Sequence, residues 1–297
     1  MTINQQLRGT GVAIVTPFKK DESVDYDALI KLTENLILNK VEYIVVLGTT
    51  GESVTLTKEE KNAVLKCVKE TVNKRIPLIL GLGGNDTREI INTIAHTNLE
   101  NVQAILSVSP YYNKPNQEGI YQHYKTIAKN SPLPIILYNV PARTGSNITA
   151  ETTLRLAHDV SNIIGIKEAS GNIEQCMKII KNRPDNFLVL SGDDVLTLPI
   201  IAAGGDGVIS VAANAFPKDF SDMVRKALNN EWSAARKIHY KLLEIMEQLF
   251  ADGNPGGIKA ALKILGRCED TMRLPLCNIN VSVYMKLENM ISEYSFD

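Results

Sequence analysis

Short apolar runs recur along the 297 residues at near-regular spacing, and this repetition constrains the fold more than any other feature of the sequence. Eight runs rich in β-branched residues and bounded by Gly, Pro or Asn are predicted to be strands. They are Gly11–Val15, Tyr43–Leu47, Leu78–Leu82, Ala104–Val108, Ile135–Tyr138, Ile163–Lys167, Leu188–Leu190 and Val208–Val211. Most are apolar throughout, as expected for parallel strands that are covered by helices.

Helical patterns separate these strands. Apolar residues at helical spacing fill Tyr26–Ile37, which predicts an amphipathic helix. Further helix-entry signals are Thr57 with Glu60, Thr87, Thr149, Asp194 and Pro217. Strand alternating with helix eight times predicts an α/β fold, a (β/α)8 TIM barrel over residues 1–230. A doubly wound open sheet is the alternative, but it would have fewer strands and a glycine-rich first turn, where this chain has Thr16-Pro17-Phe18.

The strand pattern stops after about residue 230. Three segments of the remaining chain, Trp232–Phe250, Ile258–Leu265 and Val281–Ile291, are predicted to be helices. A turn, Gly253-Asn254-Pro255-Gly256-Gly257, separates the first two. Residues 231–297 are therefore predicted to form a C-terminal helical extension. It is too small to hold a core of its own, so we expect it to pack on the barrel or on another subunit.

The charge balance and the cysteines exclude several classes of protein. With 32 basic and 33 acidic residues, the net charge of −1 argues against binding to nucleic acid or to an anionic membrane. No apolar run approaches the ~20 residues that span a bilayer, and Met1–Gln6 lacks the features of a signal peptide. The four cysteines have no metal-ligand spacing. These features predict a cytoplasmic protein with reduced thiols and no metal.

A lone lysine, Lys167, closes the sixth predicted strand. A buried ammonium is costly unless it is paired or neutralised. Burial in general lowers the pKa of an amine and so makes it available as a nucleophile for Schiff-base chemistry. The alternative is a lysine at the strand exit whose ammonium reaches solvent.

Polar side chains also stand at the other strand exits, where the active site of a (β/α)8 barrel lies. They are Thr49 and Thr50, Tyr111 and Tyr112, Tyr138 and Arg143, Ser191-Gly192-Asp193-Asp194, and Ser210 after Ile209. Hydroxyls, a phenol, a lysine and an arginine therefore converge on one face, and this indicates an active site.

Each of these groups has a structural alternative. In the structural alternative, the threonines serve only to satisfy backbone groups of the loop, and Tyr138 is only an aromatic residue of the core. In the same alternative, Arg143 is only a solvated charge of a loop, and Asp193-Asp194 only caps a helix. The turn Gly204-Gly205-Asp206-Gly207 suggests a phosphate site, but no basic residue accompanies it in the sequence.

Three motifs connect the chain to a known family. Gly48-Thr49-Thr50-Gly51-Glu52, Tyr138-Asn139-Val140-Pro141-Ala142-Arg143-Thr144-Gly145 and Gly165-Ile166-Lys167-Glu168-Ala169 resemble the dihydrodipicolinate synthase/N-acetylneuraminate lyase family of class I aldolase-like barrels. The strand order and the helical tail fit as well, so the resemblance covers essentially the whole chain. Arg143, together with Thr49 and Thr50, favours the synthase branch of the family.

The resemblance implies a lyase that condenses pyruvate with L-aspartate-4-semialdehyde, the first committed step of lysine biosynthesis through diaminopimelate. It implies no cofactor beyond a covalent Schiff base on Lys167, and a homotetramer built as a dimer of dimers. The implied catalytic residues are Lys167 as nucleophile, Tyr138 as acid and base, and Thr49 and Tyr112 as proton relay, with Tyr112 supplied by a neighbouring subunit. The implied substrate-binding residues are Thr50 for the pyruvate carboxylate, Arg143 for the semialdehyde carboxylate, and Gly192 and Ile209 through their backbone.

The resemblance also places a regulatory site. Feedback-inhibited members bind lysine near the positions of Ser53, Asn85, Glu89 and Tyr111, all of which are present. The following helix carries Lys58 and Lys61, whose ammonium groups would repel a cationic inhibitor. We therefore expect weak or absent inhibition by lysine. In the tail, Asn254-Pro255-Gly256-Gly257-Ile258-Lys259 departs from the Asn-Pro-x-Pro-x-Lys common in the family.

Two other functions are compatible with parts of the pattern. An N-acetylneuraminate or 2-keto-3-deoxy sugar acid lyase would keep Lys167 and Tyr138 but prefer a polyhydroxylated acceptor, and Arg143 argues against it. A non-catalytic ligand-binding barrel would be expected to have lost the lysine or the tyrosine, and both are present.

Overall fold

The computed structural model describes residues 2–295 and closes the eight strands into a parallel barrel, in which each strand pairs with the next and the eighth pairs with the first. The strands are β1 (Gly9–Ala13), β2 (Tyr43–Val46), β3 (Leu78–Gly81), β4 (Ala104–Val108), β5 (Ile135–Asn139), β6 (Ile163–Glu168), β7 (Leu188–Ser191) and β8 (Gly207–Ser210). The prediction of a (β/α)8 barrel with a C-terminal helical extension is confirmed.

The predicted bounds of β1 and β8 were wrong, because apolar burial continues beyond the strand ladder. β1 begins and ends two residues earlier than predicted, and Ile14 and Val15 are buried in the following loop. Val211 already has helical backbone angles before a 3₁₀ turn, so β8 ends at Ser210. The first residue of β8 is a glycine because β1 passes close to it: a Cβ on Gly207 would lie 2.1 Å from the carbonyl oxygen of Gly9.

Thirteen α-helices lie within the described residues. They are α1 (Ile3–Gln6), α2 (Tyr26–Leu38), α3 (Lys58–Val72), α4 (Thr87–His96), α5 (Gln117–Asn130), α6 (Pro141–Thr144), α7 (Ala150–Asp159), α8 (Ile173–Asn182), α9 (Thr197–Ala202), α10 (Pro217–Leu228), α11 (Trp232–Gln248), α12 (Gly256–Ile264) and α13 (Val281–Ser292). None of them has the length and apolar character needed to cross a bilayer.

Two of the predicted helix entries are confirmed as N-caps. The Thr57 hydroxyl accepts from the Glu60 amide at 3.2 Å while the Glu60 carboxylate accepts from the Thr57 amide at 2.9 Å, which completes a capping box. Thr149 is the N-cap of α7, which it caps through its hydroxyl alone. The entry at Thr87 was one residue off, because the carboxylate of the preceding residue, Asp86, accepts from the Arg88 amide at 2.8 Å.

The prediction that Asp194 begins a helix was wrong. Asp193 caps the turn before α9, since its Oδ1 accepts from the amides of Val195 and Leu196. Asp194 is buried, and its carboxylate accepts from the amides of Val211 and Ala212 at 3.1 and 2.7 Å. Burial raises the pKa of this carboxyl to about 6. Asp194 therefore joins the loop after β7 to the end of β8.

The turn before β8 lies at the amino end of the barrel, away from the face where barrel active sites lie. Its acidic residue, Asp206, forms an ion pair with Arg183, and its Oδ2 accepts from the Val189 amide at 2.9 Å. A carboxylate satisfied in this way holds the β7–β8 connection together. The suggested phosphate site is thus not part of the carboxyl face.

The helical extension shares a hydrophobic core with the barrel. Leu242 and Met246 of α11 and Ile258 of α12 belong to the same buried cluster as Leu29 of α2 and Phe220 of α10. Burying these side chains stabilises the docked position of the tail by about 1.5–3 kcal/mol per large residue. The division of the chain at residue 230 stays a prediction, although α10 ends at Leu228 and α11 begins at Trp232.

A buried ion pair joins the tail to the loop after β2. Lys259 of α12 and Glu52 are both fully buried, and the Lys259 ammonium pairs with the Glu52 carboxylate. The same ammonium donates to the carbonyl of Thr271 at 2.9 Å and lies 4.1 Å from the centre of the Phe18 ring. Burial lowers the pKa of Lys259 and the Glu52 carboxylate opposes this effect. The pair therefore fixes the loop after β2 against the extension.

The Lys259 pair can be tested by its effect on stability. Lys259→Met should lower the free energy of unfolding by about 3–5 kcal/mol, because it leaves the Glu52 carboxylate buried and unpaired. The double variant Lys259→Met/Glu52→Gln should recover part of this loss. Urea unfolding measures both, with Lys263→Met as the control, since Lys263 pairs at the half-exposed surface and such pairs are worth about 0–1 kcal/mol. Equal unfolding midpoints for Lys259→Met and the unmodified protein would contradict the account.

Candidate active site

A cavity of about 220 Å³ opens at the carboxyl ends of β2 to β5. Three of its lining residues, Thr49, Tyr138 and Arg143, were predicted to belong to the catalytic site. They come from the loop after β2, from β5 and from α6. Residues far apart in sequence therefore meet because parallel strands all end at the same face of the barrel.

Lys167 lies beside Tyr138 inside the barrel. The two residues are Cα partners on the adjacent strands β6 and β5, and both side chains are almost fully buried, with 4% and 7% of their surface exposed. The Lys167 ammonium nitrogen is 4.4 Å from the centre of the Tyr138 ring. Among residues 2–295, no carboxylate forms an ion pair with Lys167. An amine nitrogen is the nucleophile in Schiff-base chemistry.

Gly192 and Ile209 complete the surroundings of these two residues. A Cβ on Gly192 would lie 2.6 Å from the Cβ of Ala169 and 3.0 Å from Cε of Lys167. The Gly192 amide donates to the carbonyl of Glu168 at 2.7 Å. Ile209 is fully buried in the cluster that also contains Tyr138. Gly192 is therefore a glycine because the side chains of Ala169 and Lys167 occupy the space next to it.

A polar network holds the two strands from their outer side. The buried carboxylate of Glu168 accepts from the side-chain amide of Asn139 at 3.0 Å, from the Gln175 amide at 2.8 Å and from the backbone amide of Ser170 at 2.8 Å. The oxygen of Asn139 accepts from the Ile148 amide at 2.9 Å. The sequence analysis missed this network as a functional element. Strand alternation was the available signal, because Asn139 and Glu168 directly follow Tyr138 and Lys167.

Thr50 and Arg143 meet at one residue of the tail. Thr50 is 2% exposed, and its hydroxyl oxygen accepts from the side-chain amide of Asn254 at 3.1 Å. Arg143 is exposed, and its guanidinium donates to the backbone carbonyl of Asn254 at 3.1 Å. The sequence analysis noted Asn254 only as part of an unusual turn. Nothing in the local sequence signals a contact with a loop 204 residues away.

Tyr112 is not brought to the other predicted catalytic residues within this chain. Its side chain is 89% exposed, it adopts a positive φ of 71°, and it does not line the cavity. Its neighbour Tyr111 does line the cavity, and the Tyr111 amide donates to the side-chain oxygen of Asn85 at 2.9 Å. A role for Tyr112 in proton transfer therefore needs a second copy of the chain.

Three of the four predicted regulatory residues line a second cavity of about 560 Å³, next to the first, whereas Tyr111 lines only the first. Ser53, Asn85 and Glu89 line the second cavity together with Lys58 and Lys61. Ser53 also lines the smaller cavity, so the two spaces share a wall. The two lysines are thus near the position at which the resemblance places the inhibitor.

A buried lysine beside a tyrosine at the carboxyl ends of neighbouring strands, in a (β/α)8 barrel, is the arrangement of the class I aldolase-like barrels. The model of the Dihydrodipicolinate synthetase family matches residues 6–294. The chain belongs to this family, and the resemblance seen in its motifs is confirmed.

Similar proteins cover nearly the whole chain. It is 52% identical over 291 residues to the 4-hydroxy-tetrahydrodipicolinate synthase of Phocaeicola vulgatus, with 98% of each chain covered. The crystal structure of dihydrodipicolinate synthase from Aquifex aeolicus superposes with a TM-score of 0.94 at 42% identity, over 97% of this chain and 98% of the other. A chloride-inhibited dihydrodipicolinate synthase from Acinetobacter baumannii, complexed with pyruvate, superposes with a TM-score of 0.93 at 41% identity, over 96% and 98%.

The contact at Gly192 generates a prediction. Gly192→Ala should lower kcat by roughly 10²-fold, because the added methyl group displaces the Lys167 amine and ångström-scale misplacement costs about that much. Gly84→Ala is the matched control, since its new Cβ would lie 3.8 Å from the nearest side-chain atom, an ordinary contact. Steady-state kinetics of both variants checks this. A Gly192→Ala enzyme as active as Gly84→Ala would show that Lys167 does not need this space.

Proposed function

We propose that this protein catalyses the 4-hydroxy-tetrahydrodipicolinate synthase reaction, the condensation of pyruvate with L-aspartate-4-semialdehyde that commits carbon to lysine through diaminopimelate. The observation that carries the proposal is the buried Lys167 amine next to Tyr138. Tyr138 in turn lines the cavity, and the chain belongs to this family. The covalent Schiff base on Lys167 is the only group the chemistry needs, with no separate cofactor. The reaction takes place in the cytoplasm.

The first half of the reaction prepares the nucleophile. Neutral Lys167 attacks the keto carbon of pyruvate, and loss of water from the adduct leaves an iminium. Its positive charge accepts the electron pair that remains when a methyl proton leaves, which gives an enamine. Tyr138 lies against Lys167 and is placed to transfer these protons, a contribution on the order of 10²–10⁴-fold. Thr50 binds the pyruvate carboxylate, and the backbone at Gly192 and Ile209 shapes the pocket.

The second half forms the ring. The enamine carbon attacks the aldehyde carbon of the semialdehyde, and the aldehyde oxygen takes up a proton. The substrate amine then attacks the iminium carbon and displaces Lys167, which regenerates the free amine. Arg143, at the edge of the cavity, pairs bidentately with the semialdehyde carboxylate. A lysine at this position would offer only a point charge.

The proton relay extends the proposal to a homotetramer built from tight dimers. Thr49 lines the cavity, whereas Tyr112 is exposed in the isolated chain. A large exposed aromatic next to an active site is the kind of residue that is enriched at protein interfaces. Tyr112 of one subunit therefore reaches the Thr49 and Tyr138 of its neighbour and connects them to solvent.

The nucleophile assignment is tested by trapping. Borohydride reduces an iminium and leaves pyruvate covalently attached, so the unmodified protein should gain the mass of the reduced adduct on Lys167. Lys167→Ala should gain none, while the surface control Lys218→Ala should be trapped normally. Mass spectrometry of the intact proteins reads the result. Undiminished trapping in Lys167→Ala would refute the assignment.

The specificity assignment is tested at Arg143. Arg143→Ala should raise KM for the semialdehyde roughly 10- to 100-fold, the range expected for losing a hydrogen-bonded charge pair, and Arg143→Lys should restore little. Pyruvate trapping should stay unchanged in both. Arg155→Ala, which removes a surface ion pair with Glu118, is the control. An equal effect on pyruvate and semialdehyde would contradict a carboxylate-binding role in the second half-reaction.

The regulatory cavity generates a prediction about lysine. L-lysine should inhibit weakly or not at all, because Lys58 and Lys61 line the cavity and repel a cationic ligand. Lys58→His/Lys61→His should strengthen inhibition at pH 8, where both introduced imidazoles are neutral. Inhibition curves at saturating substrates measure this. Micromolar inhibition of the unmodified protein would refute the prediction.

A further inference from the structure

One buried residue of the helical extension, Asn254, contacts both substrate-binding residues. Its side-chain nitrogen donates to the hydroxyl oxygen of Thr50 at 3.1 Å, and its backbone carbonyl accepts from Arg143 at 3.1 Å. Asn254 is 7% exposed, and its hydrogen bond with the buried Thr50 is sheltered from competing water. No step of the proposed reaction uses Asn254, yet it contacts the groups assigned to both carboxylates.

The direction of the first hydrogen bond determines what the Thr50 hydroxyl can do. A hydroxyl has one proton to donate and two lone pairs to accept with. Because the Asn254 nitrogen is only a donor, it occupies a lone pair of Thr50 and leaves the Thr50 proton free. Within residues 2–295 this hydroxyl donates to no protein acceptor. A carboxylate can only accept hydrogen bonds, so the free proton suits pyruvate.

The opposite orientation of the amide would have the opposite effect. The side-chain oxygen of Asn254 would then accept the Thr50 proton and leave nothing for the substrate. In the structure this oxygen is buried and has no hydrogen-bond partner among the described residues. Amide nitrogen and oxygen are nearly equal in size, so replacing the donor by an acceptor of the same shape tests the orientation.

The tail segment that carries Asn254 is held in place from both sides. Five residues further on, Lys259 forms the buried ion pair with Glu52, two residues after Thr50. Between them, a Cβ on Gly257 would lie 2.0 Å from the carbonyl oxygen of Leu249, so the start of α12 packs tightly on the end of α11. Asn254 is therefore fixed relative to the loop it contacts.

We infer that Asn254 is a positioning residue for both substrates. Its side chain turns the Thr50 hydroxyl into a donor for the pyruvate carboxylate, and its carbonyl holds the Arg143 guanidinium in place for the semialdehyde. The inference rests on the proposed function, because it takes Thr50 and Arg143 as the residues that bind the two carboxylates. It gives the extension a part in substrate binding that acts through Thr50 and Arg143.

Two substitutions at Asn254 separate orientation from packing. Asn254→Ala should raise KM for pyruvate roughly 3- to 10-fold, the scale of one neutral hydrogen bond, with kcat within about twofold. KM for the semialdehyde should not change, because residue 254 keeps its carbonyl. Asn254→Asp should raise KM for pyruvate at least about tenfold more, since a carboxylate accepts the Thr50 proton and repels the substrate carboxylate.

The control lies in the same extension. Gln248→Ala removes another buried tail amide, which donates to the Val283 carbonyl at 3.4 Å and does not contact Thr50. It should leave both KM values unchanged. Thr50→Val keeps Asn254 and removes the hydroxyl, so it should raise KM for pyruvate as Asn254→Ala does. Adding Asn254→Ala to Thr50→Val should then change nothing further. If Asn254→Ala does not fold, Asn254→Asp serves as the test, and it should raise KM for pyruvate more than Thr50→Val does.

The outcomes are distinct. A larger pyruvate effect for Asn254→Asp than for Asn254→Ala, without an effect of Gln248→Ala, supports the inference. Equal effects of Asn254→Ala and Asn254→Asp, equal effects on both substrates, or no change in KM for pyruvate would overturn it. An unmodified protein that neither turns over both substrates nor traps pyruvate with borohydride would overturn the proposed function instead.

Discussion

The pairing of β5 with β6 is the constraint on which the site depends. This register makes Tyr138 the partner of Lys167 and Asn139 the partner of Glu168. Because successive side chains alternate between faces, the first pair points into the barrel and the second pair points to the helix layer. The hydrogen bond between Asn139 and Glu168 therefore fixes the register that brings the reactive pair together. A slip by one residue would exchange the two faces and remove the amine from the interior.

The C-terminal extension forms part of the same arrangement. Its side chains share the hydrophobic core with α2 and α10, its Lys259 neutralises Glu52 inside the protein, and its Asn254 reaches Thr50. The loop after β2 is thus held at two points by residues more than 200 positions away. Separating a buried charge pair leaves an uncompensated charge inside the protein, which is costly. The pair therefore holds the two segments that carry it in one relative geometry. Here that geometry is the position of the loop that carries Thr49 and Thr50.

The sequence predicted most of the fold, because eight apolar runs at near-regular spacing leave few other topologies. It could not predict the ends of β1 and β8, since Ile14, Val15 and Val211 stay buried after the ladder stops. The residues that face the cavity were predictable from their places at strand exits and from the family motifs. Asn254 was not, because an Asn-Pro pair among glycines signals only a turn, and its contacts arise from tertiary packing.

The central claim is that the Lys167–Tyr138 pair serves condensation with L-aspartate-4-semialdehyde rather than cleavage of a sugar acid. The most direct measurement is turnover of pyruvate with the semialdehyde, followed as NADPH oxidation through a coupling dihydrodipicolinate reductase. N-acetylneuraminate is offered in parallel, with release of pyruvate as the signal. The account predicts robust turnover of the first pair and no cleavage of the second substrate. Cleavage of the sugar acid without semialdehyde-dependent NADPH oxidation would contradict it.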